Sequence, residues 1–205
     1  MRRSVPGAWF AWLIAALLLN ACTGVTIKEP GLPGGQVYQQ RADRIAAIDQ
    51  WGLVGRLSLD DGEDGGSGRL SWEARPVGSD LDFHGAMGRG AWQLQVREDS
   101  AILKEADGGM QEAPDVNELM RNRIGWSVPV EALAWWVRGL KAPGETGSQQ
   151  LDADGRLLSL QQNGWTVEFN RYRLIDDIEL PVRLEAQKDN YRVKLAVGRW
   201  RLGPE

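Results

Sequence analysis

WGLVGRLSLDDGEDGGSGRLSW, residues 51–72, carries the reading on which the fold turns. Trp51, Leu53, Gly55, Leu57 and Leu59 fall at every second position, the run 60–68 (DDGEDGGSG) is rich in turn formers, and Leu70 and Trp72 resume the alternation. Strand side chains point to opposite faces in turn, so a period of two predicts strands with one buried face. The same period recurs along the chain, at Leu81 and Phe83, then at Trp92, Leu94 and Val96 with Gln93, Gln95 and Arg97 between them. It returns at Leu158 and Leu160, and at Trp165, Val167 and Phe169 behind an Asn163-Gly164 pair suited to a tight hairpin. Two further stretches, around 182–186 and 191–200, finish the chain. The pattern predicts about nine or ten strands in an antiparallel meander.

Three segments follow the helical period instead. From Val37 to Gln50, Tyr38, Ala42, Ile45 and Ile48 share a stripe, with Arg41, Asp43, Arg44 and Asp49 outside it. Asp115 followed by Glu118 resembles a capping box, and Val116, Leu119, Met120 and Ile124 supply the apolar face of a short helix. After Pro129 a third helix carries Val130, Leu133, Trp136 and Val137, with Gly139 placed to end it. The class is therefore α+β, built on a curved antiparallel sheet. A curled sheet either interdigitates its Trp, Leu and Phe side chains into an ordinary core or leaves them lining an apolar cavity. Composition alone favours the filled core.

The first residues read as an export signal. Arg2 and Arg3 precede an uncharged run from Ala8 to Leu19 (AWFAWLIAALLL), too short for a membrane-spanning helix, which needs about 20 apolar residues. Leu19-Asn20-Ala21-Cys22 resembles the bacterial lipobox, with Asn20 unusual in the middle, so residues 1–21 are expected to be removed and Cys22 to carry the lipid. A plain secretory signal beside a chance cysteine also fits. Against it, Cys22 is the only cysteine in the chain, and an exported protein with one thiol can form no internal disulfide. Thr23 stands where Asp would mark retention at the inner membrane, which favours the outer membrane, with the domain facing the periplasm. Residues 23–36 (TGVTIKEPGLPGGQ) have no hydrophobic period and read as a tether, so 22–36 forms the lipidated linker and 37–205 the domain.

The formal charge of −4 becomes −6 once Arg2 and Arg3 leave with the signal. Without a run of Lys and Arg, the composition argues against nucleic acid or anionic headgroups as the main partner. Chemistry is poorly provided for. His84 is the only histidine, Cys22 is assigned to acylation, no G-x-S-x-G elbow is present, and Gly66-Ser67-Gly68 lies in a turn. Neither a P-loop nor a dinucleotide fingerprint occurs, and a His/Cys metal site cannot be assembled. Paired carboxylates remain arithmetically possible among 28 acidic residues, although Asp60-Asp61 and Asp176-Asp177 fit turns better. The expectation is a protein that is no enzyme and needs no cofactor or metal.

WGLVGRL (51–57), GAMG (85–88), VPVEALAWWVRG (128–139) and QNGWTV (162–167), together with the lipobox and a closing strand at Trp200, resemble the outer-membrane lipoprotein receptor family LolB. The likeness covers nearly the whole chain, and the block 129–139 is its most specific part. It implies an incomplete antiparallel β-barrel whose open side is covered by helices and whose interior is an apolar cavity. On that reading Trp51, Leu53, Leu57, Leu70, Trp72, Leu81, Phe83, Trp92, Leu94, Leu133, Trp136 and Trp165 line the cavity.

The resemblance also implies a function: accepting acylated lipoproteins from a soluble periplasmic carrier of the same, LolA-like fold and inserting them into the inner leaflet of the outer membrane. The implied partners are acylated cargo, that carrier and outer-membrane lipid, but no nucleic acid, and the chain is expected to act as a monomer. A protruding loop with an apolar tip serves insertion in this family. Gly85, Ala86, Met87 and Gly88 match it, with Met87 at the tip and Gly-Ala where a Pro-Leu-like pair is common. An acidic domain would suit docking on a basic carrier rim. The alternative is a lipid-binding or structural outer-membrane lipoprotein that passes no cargo on.

Overall fold

A computed structural model describes residues 34–86, 90–144 and 146–204. Eleven strands form one sheet: β1 (Trp51–Asp60), β2 (Gly65–Arg75), β3 (Gly78–Gly85), β4 (Trp92–Val96), β5 (Ala101–Glu105), β6 (Met110–Ala113), β7 (Gly147–Leu151), β8 (Leu157–Gln162), β9 (Trp165–Ile175), β10 (Ile178–Lys188) and β11 (Tyr191–Leu202). Their order across the sheet is β6-β5-β4-β3-β2-β1-β11-β10-β9-β8-β7, antiparallel throughout. Two meanders thus meet where the first strand pairs with the last, from Trp51 opposite Leu202 to Asp60 opposite Arg192. The outer edges, β6 and β7, do not pair with each other, so the barrel is open.

The sequence period finds most strands that bury one face and passes over three others: two edge strands that hardly bury a face, and β5, whose Ile102 between the buried Ala101 and Leu103 masks the alternation. β6 (MQEA) and β7 (GSQQL) are exposed along most of their length. As sheet edges they need no apolar face, and polar residues there discourage pairing with another chain. β5 (AILKE) buries only Ala101 and Leu103 completely. At the Asn163-Gly164 turn both residues have positive φ, 55° and 76°, the backbone that a two-residue hairpin matching the sheet's twist requires.

Three helices complete the described structure: α1 (Gly34–Ala46), α2 (Val116–Ile124) and α3 (Val130–Trp136). α1 begins within the stretch expected as tether and stops before Ile48, whose N–H reaches back to Ile45 O at 3.2 Å. First-turn N–H groups have no intrahelical partner in any case, which lets Gly34 and Gly35 enter. The end is set by β1, whose pairing extends the chain from Trp51. Tyr38 and Ile45 are buried, and the Tyr38 hydroxyl accepts the Lys141 N–H at 3.0 Å. Arg41 donates to the Glu179 carbonyl, and the Arg41 and Arg156 guanidiniums lie 5.5 and 5.7 Å from the Tyr172 ring centre. Burial pushes the Tyr172 phenol far up, so it stays neutral and donates to Leu157 O at 2.9 Å.

α2 is capped by Asp115, one half of the capping box its sequence resembles: the Asp115 carboxylate accepts the N–H groups of Asn117 and Glu118 at 2.8 and 3.0 Å. Gly125, at φ 69°, ends it. α2 and α3 lie in the segment between β6 and β7, and this segment buries Val116, Leu119, Met120, Trp126, Val128, Leu133, Trp136 and Val137 in the same cluster as the inward residues of the strands. The helices therefore cover the open, concave side. Gln162 on β8 fastens them there. It is 2% exposed, its Oε1 accepts from Trp136 Nε1–H at 2.9 Å and from Ala142 N–H at 3.0 Å, and its Nε2 donates to Ala142 O at 2.8 Å.

A buried amide with all these partners contributes registry, and removing it strands two donors in a dry interior, each at about 1–3 kcal/mol. Gln162→Leu is expected to destabilise the domain by roughly 2–5 kcal/mol in urea unfolding, although leucine is the more apolar residue. A loss below 0.5 kcal/mol would mean that Trp136 and Ala142 find other partners.

Candidate functional site

Strand register brings one set of ends together. Asp60 faces Gly65 and Arg192, Gly68 faces Gly85, and Phe83 faces Trp92, which in turn faces Glu105. At this end lies an apolar pocket of about 490 Å³. Its walls are Leu59 and Val193 from the central pair, Phe83 and Trp92 from β3 and β4, Ile124 from the end of α2, and Trp126 and Val128 from the stretch joining α2 to α3. Phe83 stacks on Trp92 with ring centres 5.4 Å apart, and Trp126 meets Trp92 edge-on at 5.6 Å. The Trp126 indole N–H is taken up by Val128 O at 2.8 Å, so the ring can serve as an apolar wall.

Acidic side chains ring the opening: Asp60, Asp61, Asp64, Glu105 and Asp107, with Arg192 as the one cation lining it among the described residues. The Asp64 and Glu63 N–H groups bond the Asp61 carboxylate and hold its pKa below the usual carboxylate value. Glu105 pairs with Arg123 at 2.6 Å, and Arg192 is engaged by Glu185 at 3.2 Å. Gly90 and Ala91, which lead from the 85–88 stretch into β4, also border the pocket, and Ala91 O accepts the Ala106 N–H at 3.1 Å. α1 belongs to the opposite end, where its first turn packs on Gly155 in the β7–β8 turn.

Of the twelve residues expected to line a cavity, Phe83 and Trp92 stand at this pocket. Trp51, Leu53, Leu57, Leu70, Trp72, Leu81, Leu94, Leu133, Trp136 and Trp165 are buried in the packed core and do not line it. There Trp51 lies 5.4 Å from Trp72 and 5.8 Å from Trp200, ring centre to ring centre. Arg138 caps this packing: it is 7% exposed, 4.7 Å from the Trp135 ring centre, and bonded to Ala134 O at 3.0 Å. Burial lowers its pKa to about 10, still well above neutral pH. Gly85 ends β3 half-buried and Ala86 is exposed, while Met87, Gly88 and Cys22 lie outside the described residues. His84 is exposed on the outer face beside Arg69.

The pocket residues absent from the sequence expectation are Leu59, Ile124, Trp126, Val128 and Val193. Trp126 carried a signal, since a tryptophan between a helix-ending glycine and Pro129 sits in a turn and cannot belong to an ordinary helix face. Leu59 and Ile124 belong to the strand and helix faces already read, but no single period joins them with Val128 and Val193.

Comparison with known proteins agrees with this architecture. A family model described as outer membrane lipoprotein LolB matches residues 49–200. An outer-membrane lipoprotein LolB of Pseudomonas aeruginosa (strain LESB58) is 35% identical over 188 residues, 91% of this chain and 92% of that one. The protein of the same name from Pseudomonas putida (strain GB-1) is 36% identical over 185 residues, 89% and 90% of the two chains. Among solved structures, a LolA superfamily protein from Nitrosomonas europaea superposes with a TM-score of 0.58 at 7% identity, over 84% of this chain and 94% of that one. That likeness is one of fold.

Ile124 offers a clean probe of the pocket, because a lysine at the last position of α2 suits the helix dipole while placing a charge on the apolar wall. Ile124→Lys is expected to leave the thermal midpoint nearly unchanged and to weaken binding of a fluorescent fatty-acyl probe at least about tenfold. Unchanged affinity would place the acyl site elsewhere.

Proposed function

The chain belongs to the outer membrane lipoprotein LolB family, and from its role in lipoprotein localisation we propose that it accepts acylated lipoproteins from a periplasmic carrier of the same fold and inserts them into the inner leaflet of the outer membrane. The family is one of localisation factors and not a known family of enzymes. The observation that carries the finer reading is the position of the apolar pocket. It opens at the end of the sheet where β3 stops at Gly85, so an acyl chain held there lies near the residue from which the segment assigned to membrane insertion starts.

The energetics require contact at every step. Each methylene in water costs about 0.8 kcal/mol, so the several chains of one lipoprotein amount to tens of kcal/mol and do not leave a pocket for solvent. Cargo passes when the carrier's apolar site faces this one, and the difference in affinity alone drives it. The carboxylates around the opening suit a carrier whose own rim is basic, attracting it at low ionic strength and setting its orientation. Residues 1–21 act as the signal peptide, Cys22 carries the lipid, and the Gly/Pro-rich stretch up to α1 lets a monomeric domain meet the carrier while staying at the target membrane.

Delivery then depends on residues 85–88. A methionine tip enters acyl chains at little desolvation cost, whereas a carboxylate there costs about 2.5–3.5 kcal/mol at the centre of a bilayer. In a reconstitution with loaded carrier and liposomes, Met87→Glu is expected to take up cargo normally and insert it at least tenfold more slowly. Normal insertion by that variant would remove the loop from the mechanism. Cys22→Ala should still receive cargo, and failure to do so would count against the pocket. A protein that takes cargo from the carrier and never yields it to liposomes would be a static lipid binder.

A further inference from the structure

The register of the central strands assembles a feature that no stretch of sequence contains. Across six neighbouring strands, residues directly opposite one another run His84 (β3), Arg69 (β2), Arg56 (β1), Ala196 (β11), Arg183 (β10) and Arg171 (β9). All six are exposed, on the convex face of the sheet. Arg173 and Arg199 extend the row toward the α1 end, Arg173 donating to Gly198 O at 3.0 Å. With strands about 4.8 Å apart, the row is roughly 24 Å long.

Two properties mark these arginines. Among the described residues, Arg56, Arg69, Arg171, Arg173, Arg183 and Arg199 make no ion pair; Arg41, Arg121 and Arg138 make none either but lie in or next to the helices, and Arg44, Arg75, Arg97, Arg123, Arg156, Arg192 and Arg201 are all paired. Most nearby acids are already engaged: Glu185 holds Arg192 and Lys194, Glu73 holds Arg201, and Asp80 holds Arg75 and Arg97; of the adjoining acids Glu168 and Asp82 pair with no cation in the described structure, Asp82 accepting a hydrogen bond from the Gln93 amide at 2.7 Å. In addition, Arg56 faces Arg69 and Arg183 faces Arg171 across neighbouring strands. Like charges directly opposite destabilise a sheet, so two such pairs in one row leave a surface that an external anion would stabilise.

We infer that this convex arginine row docks the domain on a membrane surface by binding the phosphates of anionic phospholipid headgroups. Guanidinium forks match phosphate oxygens two at a time, and their long stems let a curved face meet a plane. Between Arg56, Arg69 and Arg199 the small residues Gly55, Ala196 and Gly198 leave a shallow hollow that would admit a headgroup. The large exposed apolar residues Val77, Met110, Leu158 and Leu174 are not members of the row, so it lacks the aromatic or aliphatic anchors on which protein interfaces depend. The row also ends at His84, beside Gly85, so docking would bring this end of β3 to the headgroups. The acidic pocket rim meanwhile stays available to a protein partner. The inference does not rest on the acyl-chain reading, and either can fail alone.

The test is flotation of the full chain carrying Cys22→Ala, so that no lipid anchor forms, with vesicles of phosphatidylethanolamine alone or mixed with phosphatidylglycerol. Neutral vesicles measure any contribution of the apolar N-terminus. Binding is expected to rise with phosphatidylglycerol and to fall with salt. Removing the charges should weaken it roughly fivefold per arginine, thus on the order of 25-fold for Arg56→Gln/Arg69→Gln or Arg171→Gln/Arg183→Gln. Arg56→Lys/Arg69→Lys, which keeps charge, should retain most of the binding, and Arg44→Gln, in an ion pair at the α1 end, should retain all of it. Equal binding to both vesicle types, or glutamine variants that bind like the parent, would overturn the proposal. So would polyglutamate binding tightly enough to displace the vesicles, which would assign the row to an acidic polypeptide.

Discussion

The pairing of the first strand with the last, β1 against β11, is the interaction on which the structure depends. Each strand belongs to its own meander, and their ladder from Trp51–Leu202 to Asp60–Arg192 turns two partial sheets into one. It also brings Trp51, Trp72 and Trp200 together, three side chains whose mutual burial outweighs any surface contact. The approach is close enough that a Cβ on Gly55 would lie 2.5 Å from Ala196 O, and the register shifts there between Val54 and Gly55. A contact between strands so far apart in the chain is made at high loop-closure cost, after the local hairpins have something to join.

An open sheet of this size has one unpaired concave face, and the chain has one internal segment available to cover it, the stretch between the two edge strands. That segment does so in two halves. The α3 half is fixed by Gln162 and by the burial of Trp136, and the strand side chains behind it are buried. The α2 half ends at Gly125, and there the cover falls short of the strand ends and leaves the apolar pocket. Site and core are thus continuous, and the pocket is where the packing stops. Charge is distributed with the same economy: carboxylates surround the pocket opening, and unpaired arginines occupy the opposite, convex face of a chain whose formal charge is only −4.

Much of this was legible in the residues. The alternation in 51–72 and its repeats located the strands with one buried face, and Asp115, Gly139 and Asn163-Gly164 marked a cap, a stop and a turn by local stereochemistry. Edge strands β6 and β7 carried no such mark, because a strand that buries neither face has no reason to alternate. All twelve residues expected to line a cavity are buried, but ten of them belong to the core cluster and do not border the pocket. Periodicity tells which face a side chain occupies. Whether the space beyond is filled depends on what a distant segment places there.

The row of arginines divides the two sources of information most clearly. The absence of any basic run argues against anionic headgroups as the main partner, yet Arg69 and Arg56, then Arg183 and Arg171 beyond Ala196, share one row in the fold. By itself, the sequence determined the strand and helix segments, the inward faces, the family likeness and the lipobox-like Cys22. These depend on neighbours within a few residues or on patterns along the chain. Tertiary structure alone decided which side chains border the pocket, which close the core, and which charges share a face. Those depend on cross-strand register, and register is set by pairings such as β1 with β11 that no local pattern encodes.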